Sequence, residues 1–381
     1  MAATAIRLGT RGSALAVAQS SAVARDLEAL GAEVEIVTIR TSGDETRATS
    51  GRSAAADREA RKAEATRATS GRSAAADREA RARPEVEDKA RFVKELEQAL
   101  LTEEIDLAVH SAKDVPAELP DGLEIVAVPE RADPRDALCL APRLEARSDD
   151  STAVGRESRD ADSAALADLA PGTGAEPQVR HSLAAQPLSM LPPCATVGTA
   201  SLRRSAGLLA LRPDLQIREL RGNVDTRLRR LADGELDAIV LATAGLIRLG
   251  RPEAGTPLPE LTLIPAAGQG CLALEARAGD VDTRRLASRL TDPRAFACLS
   301  AERALVAAIG ATCHTPVGAH ATIENHTILQ LDAFVGTPDG KTWIRDEIRG
   351  LAEEPRAVGA EAANRLVAAG VREILGSFGP A

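Results

Sequence analysis

Residues 5–39, AIRLGTRGSALAVAQSSAVARDLEALGAEVEIVTI, contain a strand, a turn, a helix and a second strand in that order. The short segment 5–8 is predicted to be a strand, and the turn after it ends at Ser13, a residue type that caps helices by accepting a backbone N–H. Apolar residues continue at helical spacing until Gly31, which is typical of a helix end. Because residues 34–39 are again rich in β-branched side chains, the opening predicts a β-α-β unit.

The rest of the chain falls into two kinds of pattern. Strands and helices alternate again between residues 134 and 265, and a further strand is predicted at 271–276. Residues 293–381 instead follow the order helix, three strands, helix, which favours a small α+β domain. The predicted elements of this last part are a helix at 296–309, strands at 317–323, 328–335 and 343–348, and a final helix at 357–375.

Three segments interrupt these patterns. The sequence TRATSGRSAAADREAR occurs at 46–61 and again at 66–81 without a mismatch. Two copies are too few for a solenoid, and the unit has no large apolar residue, so residues 45–85 are predicted to be a solvated insertion without a catalytic role. Residues 143–160 and 174–194 lose all periodicity and are predicted as further insertions.

Composition excludes several classes of protein. The 381 residues carry a net charge of −9, which disfavours a nucleic-acid-binding surface. No apolar run reaches the roughly 18 residues of a membrane span, and no apolar secretion signal is seen. The five cysteines include no CxxC pair, which favours reduced thiols over a disulfide framework. We therefore expect a cytoplasmic protein that binds neither nucleic acid nor membrane.

Arginines recur where predicted strands meet helices. A guanidinium group matches a carboxylate or phosphate, and a helix N-terminus adds N–H donors for anions. In an open α/β sheet these positions line the crevice at the strand ends, so the pattern predicts a cleft for a polyanionic small molecule. Isolated surface arginines and a nucleic-acid groove are the alternatives, although aromatic residues for base stacking make up only 1% of the chain. The arginines at these positions are Arg11, Arg203, Arg204, Arg221, Arg227 and Arg248.

Two further features are candidate reactive groups. Asp114 follows Lys113 directly after a buried strand, so its carboxylate could accept hydrogen bonds from a substrate N–H and stabilise positive charge. A salt bridge within the loop is the alternative. Cys313 lies in a loop between a helix and a strand, where an accessible thiolate could form a covalent bond, whereas an inert thiol is the alternative.

Metal and nucleotide sites are not predicted. His314, His320 and His326 recur every six residues, which matches neither a helical nor a strand spacing of ligands. A P-loop and a GxGxxG motif after a strand are both missing from the sequence.

Nine segments, in order along nearly the whole chain, resemble those of the porphobilinogen deaminase (hydroxymethylbilane synthase) family. Several are long and specific. They are RLGTRGSALAVAQ (7–19), FVKELEQALL (92–101), DLAVHSAKDVP (106–116), ERADPRDAL (130–138), VGTASLRR (197–204), RPDLQIRELRGNVDTRL (212–228), DAIVLATAGLIRLG (237–250), PAAGQG (265–270) and CHTPVG (313–318).

The resemblance implies an α/β fold of two periplasmic-binding-protein-like domains, with the active site between them, and a small C-terminal α+β domain that carries a cofactor. The first domain would comprise residues 1–130 and 270–290, the second 134–265 and the third 293–381. A monomer is expected because this is the family's habit.

The resemblance also implies the mechanism. Cys313 would hold a dipyrromethane cofactor through a thioether, and four porphobilinogen molecules would be condensed into hydroxymethylbilane with loss of ammonia. Asp114 corresponds to the family's catalytic aspartate. Cofactor contacts are implied for Ser13, Lys113, Thr199, Ser201, Arg203 and Arg204, and substrate contacts for Arg11, Arg221, Arg227 and Arg248.

One segment departs from the family pattern. The family has a glycine-rich GGKG stretch before the FVKELE helix, whereas this chain has EDKAR at 87–91. Glycine permits backbone angles that Asp and Ala resist, so the change affects the segment that closes over the site. A paralogue of the same fold that binds pyrroles or other polycarboxylates but has lost turnover is therefore the alternative function.

Overall fold

The structure, a computed structural model, describes residues 5–39, 85–116, 118–144, 186–312 and 315–376. Both copies of the repeat and Cys313 lie outside the described residues. The strands are β1 (Ala5–Arg11), β2 (Glu33–Ile39), β3 (Leu107–Ser111), β4 (Leu123–Ala127), β5 (Asp136–Leu140), β6 (Thr196–Gly198), β7 (Gln216–Arg218), β8 (Ala238–Ala242), β9 (Thr256–Pro257), β10 (Leu272–Arg277), β11 (Val317–Glu324), β12 (Ile328–Gly336) and β13 (Trp343–Leu351). The α-helices are α1 (Ala14–Ala29), α2 (Glu85–Leu101), α3 (Leu202–Leu211), α4 (Val224–Ala232), α5 (Thr243–Arg248), α6 (Val281–Ser288), α7 (Pro293–Ala308), α8 (Pro355–Ala368) and α9 (Val371–Gly376).

Two five-stranded sheets share one arrangement. Their strand orders are β2-β1-β3-β10-β4 and β7-β6-β8-β5-β9. In each sheet the second strand in this order, β1 or β6, runs parallel to both of its neighbours, and the fourth strand, β10 or β5, is antiparallel to both of its neighbours. The third sheet is an antiparallel meander, β11-β12-β13. The predicted fold class, two α/β parts and a small α+β part, is confirmed.

The chain forms two compact units. Unit 1 contains Met1–Glu130 and Cys271–Phe296, and unit 2 contains Arg131–Gly270 and Ala297–Ala381. Strand β10, the fourth strand of the first sheet, begins just after the chain returns to unit 1 at residue 271. Strand β5, the fourth strand of the second sheet, begins shortly after the chain enters unit 2 at residue 131. The predicted division into three domains stays a prediction.

Aliphatic side chains make up most of each core, although the aromatic Phe334 is also buried in unit 2. In unit 1, Leu8, Leu27 and Leu107 belong to a cluster with α1, while Leu96 and Ile105 belong to a second cluster with α2. Burying such side chains on both faces of a sheet stabilises the fold by roughly 1.5–3 kcal/mol for each large residue. The strand ends that carry the candidate site residues therefore project from rigid layers.

The structure corrects some local predictions. Arg11 is the last residue of β1 and not part of the following turn. The single helix predicted at 357–375 is wrong, because Gly370 adopts a φ of 94° and separates α8 from α9. Leu188 and Leu191, inside the predicted insertion 174–194, are buried in the core of unit 2.

Within the described parts of the chain, no helix combines the length and the apolar character needed to cross a membrane.

Candidate functional site

Four predicted site residues lie at one edge of the first sheet. Strands β1 and β3 are parallel neighbours, so their carboxyl ends share this edge. Arg11 ends β1, and Ser13 caps α1 by accepting a hydrogen bond from the backbone N–H of Ala16 at 3.3 Å. Lys113 and Asp114 lie in a single 3₁₀ turn, Ala112–Asp114, directly after β3. The sheet topology thus brings these residues to the same side of unit 1.

Asp114 is half-buried, and its carboxylate has no hydrogen bond or ion pair within the described residues of unit 1. The turn that carries it is fixed by backbone bonds from Ala112 N to the Cys271 carbonyl at 3.1 Å and from Val115 N to the Ala112 carbonyl at 3.3 Å. Because backbone hydrogen bonds hold the turn in place, the Asp114 carboxylate can accept hydrogen bonds from the N–H groups of a ligand without breaking a contact with another described residue of unit 1.

A buried ionisable cluster lies behind this turn. His110, near the end of β3, places Nε2 2.9 Å from Glu275 Oε2 on the neighbouring strand β10. Glu97 of α2 is also buried. Burial, followed by the charge of Glu275, raises the pKa of Glu97 above its ordinary value, and this outweighs the opposite effect of His110 and Lys94. Glu97 therefore keeps its proton to a higher pH than an exposed glutamate.

The corresponding edge of the second sheet carries the other predicted groups. Strands β7 and β8 both run parallel to β6, so their carboxyl ends meet at one edge. Thr199 follows β6, and its Oγ1 accepts a hydrogen bond from Ser201 N at 3.1 Å. Ser201 caps α3, its Oγ lying 3.5 Å from Arg204 N. The predicted placement of polar residues at strand ends is observed here as well.

Arg203 and Arg204 are almost completely buried, with 3% and 6% of their surface exposed. Both contact Asp136, the first residue of β5. Arg203 Nη1 lies 2.7 Å from Asp136 Oδ2, and Arg204 Nη2 lies 2.7 Å from Oδ1. Each guanidinium also donates to a backbone carbonyl, that of Ile264 for Arg203 and that of Val240 for Arg204.

This cluster, Asp136 with Arg203 and Arg204, carries a net charge of +1, because two guanidinium groups face one carboxylate. Burial alone would raise the pKa of Asp136, but the two arginines hold it far below its usual range, so Asp136 stays ionised. Within the described residues, the buried Nε of Arg203 has no hydrogen-bond partner. The uncompensated positive charge of the cluster attracts a further anionic group.

Sequence reasoning did not assign a role to Asp136 or to Gln269, whose Nε2 donates to Asp136 Oδ1 at 3.0 Å. A signal for Asp136 was present, because two adjacent arginines in an apolar helix need a buried acidic partner. Nothing in the sequence shows which of its 56 acidic residues supplies it.

The remaining arginines of this edge are less buried. Arg221 forms an ion pair with Glu219 at the surface. Arg227 Nε donates to the Gly222 carbonyl at 2.8 Å, and Arg248 Nη2 donates to the Gly270 carbonyl at 2.7 Å. These backbone contacts orient the two side chains.

Cys313 lies outside the described residues, but the chain on either side of it is fixed. Thr312 N donates to Thr315 Oγ1 at 2.9 Å, and Thr315 Oγ1 donates to the Thr312 carbonyl at 2.6 Å. The cysteines that the structure describes are all free thiols, with Cys194 exposed and Cys139, Cys271 and Cys298 buried. No group of three or more His, Cys, Asp or Glu residues among the described ranges is arranged to hold a metal ion.

Comparison with known proteins identifies close relatives. A family model described as "Porphobilinogen deaminase, dipyromethane cofactor binding domain" matches residues 6–65 and 54–285, and "Porphobilinogen deaminase, C-terminal domain" matches residues 296–368. A porphobilinogen deaminase of Thermus thermophilus is 40% identical over 371 residues, which cover 97% of each chain. One from Roseiflexus castenholzii is 43% identical over 289 residues, covering 76% of this chain and 81% of the relative.

Two solved structures show distant similarity to this chain. A periplasmic sulfonate-binding protein, SsuA of Methylobacillus flagellatus, is 12% identical with a TM-score of 0.32, covering 79% of this chain and 67% of its own. The periplasmic VFT2 domain of BvgS from Bordetella pertussis is 12% identical with a TM-score of 0.33, covering 76% of this chain and 86% of its own.

Proposed function

Because this chain belongs to the porphobilinogen deaminase family, we propose that Asp114 is its catalytic residue and Cys313 the anchor of its dipyrromethane cofactor. The activity is that of hydroxymethylbilane synthase, a transferase that joins four porphobilinogen molecules and releases ammonia at each addition. The curated relatives give no support to the alternative of a paralogue without turnover.

The described residues fit a dipyrromethane, which carries acetate and propionate carboxylates and pyrrole N–H groups. The Arg203–Arg204–Asp136 cluster keeps a net positive charge, and the buried Arg203 Nε has no hydrogen bond among the described residues. When bound, the group supplies the pyrrole carbon to which the first substrate is joined. We assign its carboxylates to the side chains and helix N-termini of Ser13, Lys113, Thr199, Ser201, Arg203 and Arg204.

Asp114 stabilises the positive charge that develops on the substrate during each addition. The bond between the aminomethyl carbon and its nitrogen breaks and ammonia leaves. The bound cofactor or growing chain would supply the pyrrole α-carbon that takes part in the new carbon–carbon bond and loses a proton. Positive charge grows on the substrate's pyrrole nitrogen as ammonia leaves, and the Asp114 carboxylate, held by the fixed turn, accepts a hydrogen bond from this N–H and stabilises the charge.

The number of carboxylates on the product increases with every addition, so binding the growing chain needs several cationic groups. Guanidinium groups suit this role because each can bind a carboxylate with two parallel hydrogen bonds. We assign the substrate carboxylates to Arg11, Arg221, Arg227 and Arg248.

The observation that carries this proposal is the half-buried Asp114 carboxylate, which is fixed by its backbone and has no hydrogen bond or ion pair with another described residue of unit 1. The test is the intact mass of the purified chain, together with its colour reaction with Ehrlich's reagent. We expect added mass equal to a dipyrromethane in the wild type and in Cys194→Ser, which alters an exposed thiol. Cys313→Ser should lack both the added mass and the colour. An unmodified wild-type chain would refute the assignment of the cofactor to Cys313.

We further propose that the enzyme works as a monomer in the cytoplasm without binding nucleic acid. The net charge of −9 supports the last point, and the free described thiols are consistent with a reducing compartment. Light scattering of the purified enzyme gives its oligomeric state directly.

A further inference from the structure

Three ionisable side chains are buried on one face of the first sheet, the face that α2 covers. They are His110 of β3, Glu275 of β10 and Glu97 of α2, which are 5%, 0% and 4% exposed. Leu274 and Ala276, on either side of Glu275, belong to the core on the α1 face, so side-chain alternation along β10 places Glu275 on the α2 face. One buried sheet face thus contains two carboxyl groups and an imidazole.

These groups make few hydrogen bonds for their depth. His110 Nε2 lies 2.9 Å from Glu275 Oε2, but among the described residues neither Glu275 oxygen, nor His110 Nε2, nor Glu97 Oε1 has a hydrogen bond of acceptable angle. A protonated His110 beside an ionised Glu275 forms a neutral pair, and burial, followed by the charge of Glu275, raises the pKa of Glu97 so that it keeps its proton to a higher pH. Buried polar groups without hydrogen bonds lower stability, and clusters of this kind concentrate at functional sites.

The contact between His110 and Glu275 lies where the backbone pairing of their strands becomes incomplete. Among the described residues, β1 pairs with β3 only as far as Ala108, so beyond this residue β3 is paired with β10 alone. On the other side of β10, the pairing with β4 shifts register between Leu274 and Glu275, as at a β-bulge. The imidazole and the carboxylate therefore join two strands at the point where the ladder of each with its other neighbour ends or shifts.

The turn that carries Asp114 begins at Ala112, directly beyond this contact. A backbone hydrogen bond from Ala112 N to the Cys271 carbonyl at 3.1 Å joins the turn to the start of β10. We propose that His110 is a positioning residue, whose contact with Glu275 holds the end of β3 against β10 and so fixes the place of the Asp114 carboxylate. This inference rests on the catalytic role proposed above for Asp114.

Stability alone does not account for a charged pair at this position. Well-packed apolar residues of similar volume often stabilise a protein as much as a buried ion pair does. Opposite charges on two adjacent strands instead resist a relative shift of those strands, because separating the charges is costly in an interior of low dielectric constant. Such resistance matters beside a catalytic group, since a displacement of about 1 Å can lower a rate by about 100-fold.

The first test compares His110→Gln with His326→Gln, a matched change at an exposed position in the turn between β11 and β12. Glutamine keeps an N–H donor but cannot carry the charge of an imidazolium. Both variants are expressed in full length and measured for circular dichroism and for kcat and KM with porphobilinogen. In His110→Gln we expect kcat to fall by about 10- to 100-fold while KM changes less, because the arginines assigned to the substrate carboxylates are unaltered. His326→Gln should match the wild type.

The second test removes both charges in the double variant His110→Leu/Glu275→Met, which fills the same space with apolar side chains. This variant should unfold in urea at or above the midpoint of the wild type, yet its kcat should fall as in His110→Gln, because apolar packing gives no charged contact between the strands. It decides the question where His110→Gln does not fold. A kcat within twofold of the wild type in either folded variant would overturn the inference. Retained turnover in Asp114→Asn would instead overturn the proposed function, so the two failures are distinguishable.

Discussion

Unit 1 and unit 2 each have an aspartate at the equivalent edge of their five-stranded sheet, but the two carboxylates differ in burial and in their hydrogen-bond partners. Asp114, after β3, is half-buried and has no partner within the described residues of its unit. Asp136, at the start of β5, is 1% exposed and enclosed by two arginines. The first can receive a ligand's donors, whereas the second neutralises charge inside the protein. Pairing and burial, and not residue type, therefore separate the carboxylate that we propose to be catalytic from the one that is enclosed by arginines.

The largest expected effect is on activity at Asp114. Asp114→Asn removes the charge but keeps the shape, so kcat should fall by about 10²- to 10⁴-fold. The free energy of unfolding should stay unchanged because the Asp114 side chain has no hydrogen bond with another described residue of unit 1. The measurements are a porphobilinogen assay and urea unfolding. Asp121→Asn, at an exposed position on the same unit, serves as the control. Retained turnover in Asp114→Asn would show that the catalytic role is misassigned.

At Asp136 the expected effect is on stability. Asp136→Asn leaves two buried guanidinium groups without their counter-charge, which should lower the free energy of unfolding by about 3–5 kcal/mol. Urea denaturation followed by circular dichroism measures this change. Asp282→Asn breaks only an exposed ion pair with Arg285 and should leave the unfolding curve in place. Equal stability of the two variants would mean that the buried cluster contributes little to folding.

The smallest expected effect concerns pH. The pKa of Glu97 is raised in the folded state, so the unfolded chain releases this proton first and stability falls as pH rises above about 4.3, the ordinary glutamate value. Glu97→Gln should therefore be slightly more stable than the wild type at pH 7, but not at pH 4. Asp136 has a lowered pKa, so its contribution has the opposite sign and is lost as pH falls below about 3.9.

Urea unfolding at both pH values, with Glu361→Gln as the exposed control, measures the effect at Glu97. A difference between Glu97→Gln and the wild type that is the same at pH 4 and pH 7 would contradict the raised pKa. A stability gain confined to pH 4 would reverse its sign.

Local patterns predicted most of the fold. The helix cap Ser13 and the first helix were predicted correctly, because a cap or an amphipathic period depends on residues within a few positions of one another. The break at Gly370 was missed, since apolar spacing continues across it and only the backbone conformation reveals the interruption. Local patterns also did not predict which strands pair. Strand β10 joins the sheet formed by β1 to β4, and β5 joins the sheet formed by β6 to β9.

The sequence by itself determined the order of strands and helices, the positions of the arginines at strand ends, and membership of the family through motifs in a fixed order. Only the tertiary structure decided what those arginines contact. Asp136 lies 67 residues before Arg203 and 68 before Arg204, and it reaches them because β5 pairs antiparallel with β8 beside α3. Such partners depend on sheet order, which requires the whole chain to fold, whereas caps and periodicity are set by neighbours in sequence.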